Sequence, residues 1–247
     1  MSGAETSAGR RYLAIANELV ARLAGEEWPR IAAAAGLLTD AIAAGRTVHA
    51  FGSGHSHMLA EELFYRAGGL VRVRPILFEG LMLHGSPTLG TTLERMPGLA
   101  AALFADHPMD AGDVLIVASN SGSNAVSTEL ATLARDHGVR TIGITSLRHA
   151  TSASARVSDG PRLHELVDVA IDNGGAVGDA AVAIEGLTTR VGPTSTVVGA
   201  AILDALVAEV VERLVARGIA PEVYASSNVA GGDAVNDRYR DTTAIGR

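Results

Sequence analysis

The chain has 247 residues, 47% of them hydrophobic and 19% charged, the balance of a globular protein with one sizeable core. A formal charge of −7 argues against a broad basic surface for nucleic acid. Cysteine is absent, which removes disulfides, thiolate metal sites and a cysteine nucleophile. All 20 basic residues are arginine, so no side chain can form a Schiff base and the phosphate-loop lysine is missing.

The first residues, "MSGAETSAGRR", lack the apolar core of a secretory signal. The stretch "IAAAAGLLTDAIAAG" is interrupted by Asp40 and falls short of the ~20 residues that a membrane span needs. The expectation is a cytoplasmic protein with no membrane or nucleic-acid partner.

Helical spacing of Leu13, Leu19, Val20 and Leu23 predicts an amphipathic helix over 11–24, and Ile31, Leu37, Leu38 and Ile42 predict another over 29–44. "GRTVHAFG" (45–52) then reads as a short buried strand. A helix at 56–67, a strand at 71–78, a long loop and a helix near 91–105 follow. "DVLIVAS" (113–119) is a strand, 123–138 a helix closed by Gly138, and 140–146 and 166–174 two further strands. Strands alternating with helices predict an α/β fold, a doubly wound, mostly parallel sheet of about five strands. The last regular element is a long helix over 193–218, with N-caps offered by Thr194 to Thr196. Its apolar stripe of Leu203, Leu206, Val207, Val210, Val211 and Leu214 is wide enough to predict burial in a dimer interface. The organisation expected is one structural domain: a helical arm (1–45), a central domain (46–218) and a tail (219–247).

Two strand-to-helix loops stand out, "GSGHSH" (52–57) and "SNSGSN" (119–124). Each offers hydroxyls and backbone N–H groups at a helix start, where an anion is favoured. Either loop alone is explained by helix capping; two of them on strands able to pair call for a ligand. Gly52-x-Gly54 opens a dinucleotide fingerprint, but His57 stands where its third glycine belongs.

On "FGSGHSHMLAEELFYRAGG", "SNSGSNAV", "IDNG" and "VGPTSTVVGA" the chain resembles the sugar isomerase (SIS) domain family over roughly residues 30–220. Within it, the chain is most similar to a single-domain branch related to phosphosugar isomerases and N-acetylmuramic acid 6-phosphate etherases. The resemblance implies a flavodoxin- or Rossmann-like fold and a phosphosugar site. Phosphate would be held by Ser119, Asn120, Ser121 and Asn124 of the second loop and Ser56 of the first. Ser53, Gly54 and His55 would meet the rest of the substrate. It also implies a homodimer or homotetramer, with sites commonly shared between subunits, and calls for no cofactor. Hydroxyls, amides and helix dipoles suit a phosphate dianion without any lysine.

Departures from the family matter. The cysteine and extra domain of the glutamine-dependent glucosamine-6-phosphate synthase are absent, which excludes amination from glutamine. The lysine near the loop opening the last helix is missing from "RVGPTSTVV", and Val191 stands where the synthase has a catalytic glutamate. The proton-transfer groups must lie elsewhere.

Glu62 is favoured as the base, because it borders the buried Leu59/Leu63 face of its helix and because heptose isomerases carry a comparable "AEEL". Glu61, further round, is the alternative. Both are also explained as a solvated helix face. Glu79 and His84, in "FEGLMLHG", lie beyond a strand end and suit proton transfer; a salt bridge of Glu79 with Arg72 or Arg74 is the plainer reading. His55-x-His57 lacks the companions of a metal site, and none is expected. Glu185 and residues 226–237 reach the site only if the fold or a partner subunit brings them.

Family enzymes begin by taking the proton from C2 of an open-chain sugar phosphate. The expectation is elimination at C3 of an N-acetylamino-sugar 6-phosphate such as N-acetylglucosamine 6-phosphate, with Glu62 or Glu79 as base and His84 as acid. Aldose–ketose isomerisation is the alternative. A non-catalytic phosphosugar sensor is a third reading; residues 1–45 are too acidic and alanine-rich to be a helix-turn-helix.

Overall fold

A computed structural model of the chain describes residues 7–153 and 160–240. The expected arm therefore loses residues 1–6, and the expected tail residues 241–247, to the undescribed part. In chain order the first elements are α1 (Ala8–Leu23), α2 (Trp28–Ala43), β1 (Val48–Gly52), α3 (His57–Glu62) and β2 (Val73–Ile76). Then come α4 (Pro87–Leu93), α5 (Leu99–Asp106), β3 (Val114–Ala118), α6 (Ala125–Asp136), β4 (Arg140–Thr145), α7 (Leu147–Ala150), α8 (Leu163–Leu166) and β5 (Val169–Asp172). A small hairpin, β6 (Ala180–Val182) and β7 (Val191–Pro193), precedes α9 (Ser195–Ala216) and α10 (Gly232–Asn236).

The five strands predicted from the sequence pair in the order β2-β1-β3-β4-β5, all parallel. This is the doubly wound arrangement in which the chain changes direction between β1 and β3. Period-two side-chain alternation supplies two cores. Val114, Ile116 and Ala118 face α2, α3 and α9, whereas Leu115 and Val117 face α5, α6 and Leu163 of α8.

Three elements differ from expectation, each for a local reason. The helix expected near 91–105 is two helices, because Pro97 and Gly98 (φ +86°) stop the first and start the second. The helix expected over 56–67 ends at Glu62, and the residues just beyond its expected end take backbone partners from the C-terminal segment. There Gly68 N–H donates to Tyr224 O, Tyr224 N–H to Gly69 O and Val71 N–H to Glu222 O. The β6–β7 hairpin, three residues a side, is too short for its periodicity to show.

The wide stripe of α9 finds its cover within the chain. Leu203, Leu206, Val210 and Leu214 are buried and Val207 and Val211 half-buried, packed with Ile31, Ala34, Ala35 and Leu38 of α2. Its N-terminus is capped not by its own threonines but by Asp179, whose Oδ1 accepts from the N–H groups of Thr194 and Ser195. Among the described residues, no helix is long and apolar enough to cross a membrane.

On the other face of β1, the buried His49 contacts Asp113 Oδ2 at 3.2 Å. Burial pushes the imidazole below its ordinary 6.5, against the opposing hydrogen bond and charge of Asp113. The unfolded chain therefore binds a proton more readily than the folded one, so this contribution is complete above 6.5 and is lost as pH falls from there through the folded value. The melting temperature is expected to fall between pH 7.5 and 5. A calorimetric series with His49→Gln, which retains a donor for Asp113, should show a shallower decline.

Candidate phosphosugar site

The register of β1 on β3 pairs Gly52 with Ala118, so Ser53 and Ser119 emerge side by side at the carboxyl edge of the sheet. The first loop turns at once, with Ser56 N–H donating to Ser53 O at 3.0 Å and the ring of the buried His57 contacting Gly54 O through Nδ1. A Cβ on Gly52 would stand 2.2 Å from Ser56 O, so the turn closes only over glycine. In the second loop Ser119 Oγ accepts from Gly122 N–H at 3.2 Å, and Gly122 sits at φ +60°. Asn124 is the N-cap residue of α6.

The "IDNG" segment at the end of β5 locks this loop from behind. Asn173 Nδ2 donates to Asn120 Oδ1 at 3.0 Å, while Asn173 Oδ1 accepts from Gly175 N–H at 2.9 Å. Ser146 Oγ in turn donates to Gly175 O at 2.7 Å. Next to it, Asp172 joins Arg22 of α1 through its carboxylate and main-chain oxygen.

Between the loops lies a cavity of about 360 Å³. All eight residues expected to bind phosphate or sugar line it: Ser53, Gly54, His55 and Ser56 from the first loop, Ser119, Asn120, Ser121 and Asn124 from the second. A larger hollow of about 670 Å³ lies beyond α6 and carries none of these eight. The smaller cavity is therefore the candidate site. Ser56, Ser119, Asn120 and Asn173 also border a crevice with Ser195 and Thr196, which brings the start of α9 to the same edge.

The expected acid–base residues lie outside this lining. Glu62, half-buried, pairs with Arg66. Glu61 is exposed, 3.8 Å from His57 Nε2. Glu79 opens an exposed single turn after β2, and its suggested partners are engaged elsewhere: Arg72 with Glu222, Arg74 with backbone oxygens of Val71 and Val73. His84 is exposed, its ring centroid 5.3 Å from that of His57. His57 is inside the fold and His55 at its surface, and the described residues contain no cluster of three or more metal-ligating side chains. Glu185 is exposed between β6 and β7, and Ser226, Ser227, Asn228 and Asn236 border a separate hollow with Tyr65, Arg66 and Ala67.

In their place the fold brings Glu94, His149 and Asp179 to the cavity. Glu94 follows α4, in the break that sequence periodicity ran through. Its Oε2 accepts from Ser53 Oγ at 2.8 Å, and its main-chain oxygen accepts from Val126 N–H in the first turn of α6. It thus ties the two loops together. The only sequence signal was the Met96-Pro97-Gly98 breaker just after it. His149 lies in the four-residue α7, and its Nδ1 accepts from Gly178 N–H at 2.8 Å. Among the described residues the lining contains no arginine, and an anion there meets hydroxyls, amides and the start of α6.

Residues 11–146 match a family model described as the SIS domain. A UPF0309 protein of Geobacillus sp. (strain WCH70) is 39% identical over 239 residues, covering 95% of this chain and 97% of its own. A second, from Halalkalibacterium halodurans, is 39% identical over 233 residues, covering 94% and 96%. In fold the chain is similar to a phosphoheptose isomerase from Francisella tularensis, with a TM-score of 0.51 at 17% identity over 81% of this chain and 95% of that one. The chain belongs to the SIS domain family.

Two substitutions probe the scaffold of the site. Asn173→Ala leaves the half-buried Asn120 Oδ1 and the Gly175 N–H without their partner and is expected to cost about 1–3 kcal/mol in urea unfolding. Gly52→Ala should cost more, because the atoms in its way are backbone.

Proposed function

We propose that this SIS domain protein is an enzyme that binds an amino-sugar 6-phosphate and begins by removing the proton from C2 of the open-chain form. The observation that carries the reading is the convergence of both loops and Glu94 on one cavity. Phosphate is assigned to Ser119, Asn120, Ser121 and Asn124 with Ser56, where the α6 dipole and neutral donors favour a dianion. Ser53, Gly54 and His55 contact the sugar. The role expected of Glu62 or Glu79 passes here to Glu94, which lines the cavity and keeps Oε1 free of any protein partner among the described residues.

With N-acetylglucosamine 6-phosphate the reaction is elimination. Glu94 takes the C2 proton, the electron pair ends in the C2–C3 double bond, and the C3 hydroxyl departs as water with the proton that Glu94 returns. The N-acetyl group favours this outcome, since isomerisation would give an acyl-imine tautomer. Aldose–ketose isomerisation, in which the proton returns at C1, is the second reading, in keeping with the phosphoheptose isomerase of similar fold.

Proton NMR of the protein with N-acetylglucosamine 6-phosphate in D2O is expected to show the C2 proton signal disappear and a vinyl resonance grow. Exchange at C2 without the vinyl signal selects isomerisation. Line broadening with neither change overturns the enzymatic reading in favour of a sensor. Glu94→Gln is expected to slow C2 exchange by about 10²–10⁴-fold, with phosphosugar affinity held within a few-fold.

A further inference from the structure

We propose that His149 is a further catalytic residue of this site, holding a fixed Nε2–H donor for the oxygen that gains charge when the C2 proton leaves. The inference rests on the phosphosugar reading and adds to it a second polar group from the cavity lining. His149 follows β4, in the segment "SLRHA", where no motif marks it. Its ring lines the cavity with Ser121 and Glu94.

The tautomer follows from one contact. Gly178 N–H points at Nδ1 over 2.8 Å, so Nδ1 must present a lone pair, and the hydrogen of the neutral ring is on Nε2. Nε2 has no partner among the described protein groups, which leaves its N–H for an occupant of the cavity. The partner loop is itself held in place. Gly178 (φ +79°) and Asp179 (φ +68°) are both left-handed, and Asp179 binds the first N–H groups of the 22-residue α9 and the Ser195 hydroxyl at 2.6 Å. His149 N–H, at the other end of the residue, donates to Ser146 Oγ, the same hydroxyl that holds Gly175. The ring is thus oriented from the main chain and from its own edge, in the manner of a preorganised donor.

The chemistry balances without a proton leaving the ring. As Glu94 takes the C2 proton, the C2 electron pair moves toward C1 and the carbonyl electron pair moves onto O1. The Nε2–H hydrogen bond to O1 strengthens as that charge develops. In the second half of the elimination the charge returns from O1 and expels the C3 hydroxyl, which leaves as water with the proton held by Glu94. In isomerisation the O2 proton passes to O1, and the O2 electron pair forms the new carbonyl as C1 takes the proton from Glu94. A neutral imidazole acting as such an electrophile is established enzyme chemistry.

The test has two readouts. In the ¹⁵N-labelled, ligand-free protein, long-range ¹H–¹⁵N correlations, assigned by comparison with His149→Ala, should show a bare Nδ1 and a protonated Nε2. A hydrogen on Nδ1 overturns the proposal. With N-acetylglucosamine 6-phosphate in D2O, His149→Ala should lower the C2 exchange rate by about 10²–10³-fold while the dissociation constant stays within a few-fold. His149→Gln, which restores an N–H donor, should recover roughly tenfold of the loss. Wild-type exchange in His149→Ala overturns the role of His149 and leaves the phosphosugar reading standing. A loss of binding equal to the loss of rate assigns His149 to structure and overturns the proposal. Wild-type protein that neither binds nor exchanges this sugar overturns the earlier reading, and this one with it.

Discussion

Everything at the candidate site depends on the parallel pairing of β1 with β3. The ladder sets Gly52 opposite Ala118, and both strands are buried along their whole length. Side chains alternate with period two, so a slip of one residue would turn every core residue toward the opposite layer. The register is therefore fixed by the two cores, and with it the level at which Ser53 and Ser119 leave the sheet. These two strands also flank the point where the chain reverses its winding, which leaves an open crevice there rather than a crossing connection. A core requirement thus becomes a site requirement.

The ladder sets the height of the loops but not their shape. Each loop is shaped by groups that belong to other parts of the chain. Asn173, at the end of β5, reaches across to Asn120, and Glu94 joins Ser53 to the first turn of α6. Arg22 extends the same network to the N-terminal helices by binding Asp172, the residue before Asn173. The "IDNG" segment has two carboxamide and carboxylate neighbours facing opposite tasks. Asp172 holds the scaffold, and Asn173 holds the loop.

Sequence reading reached the parts of this design that are periodic or punctuated. The apolar runs of β1 and β3 and the Ser- and Gly-rich loops after them have local signatures, because a buried strand and a helix start each demand particular residues. Glu94 had no such signature. It sits where one run of helical periodicity is interrupted by Pro97 and Gly98, and its importance comes from what α4 is packed beside. His149 lies in a helix of four residues, too short for any pattern. Glu79 and His84 follow the end of a strand, as the sequence suggests, but that strand is β2, at the edge of the sheet and one place removed from the crevice. The breadth of the α9 stripe was legible too. That α2 would cover it depended on the long-range fold, and a second copy of the chain was an equally good reading from spacing alone.

Among the described residues the lining of the cavity holds no arginine, which bears on how a sugar phosphate would lie in it. Among the described residues its carboxylates are those of Glu94 and Asp179, beside the imidazoles of His55 and His149. Asp179 is committed to the start of α9, where the helix dipole offsets its charge. Glu94 has only one hydroxyl partner from the first loop, so its charge is the one that a phosphate must avoid. Two unit charges about 7 Å apart repel by about 2 kcal/mol at an effective dielectric of 20, and a dianion doubles this. On the proposed reading the phosphate would lie toward the hydroxyls and amides of the second loop, away from the Glu94 carboxylate. For a hexose 6-phosphate that orientation would bring C2, whose proton the proposed reaction removes, toward the carboxylate. A lysine or arginine aimed into the lining beside Glu94 would offer the phosphate a second resting place, with the sugar reversed.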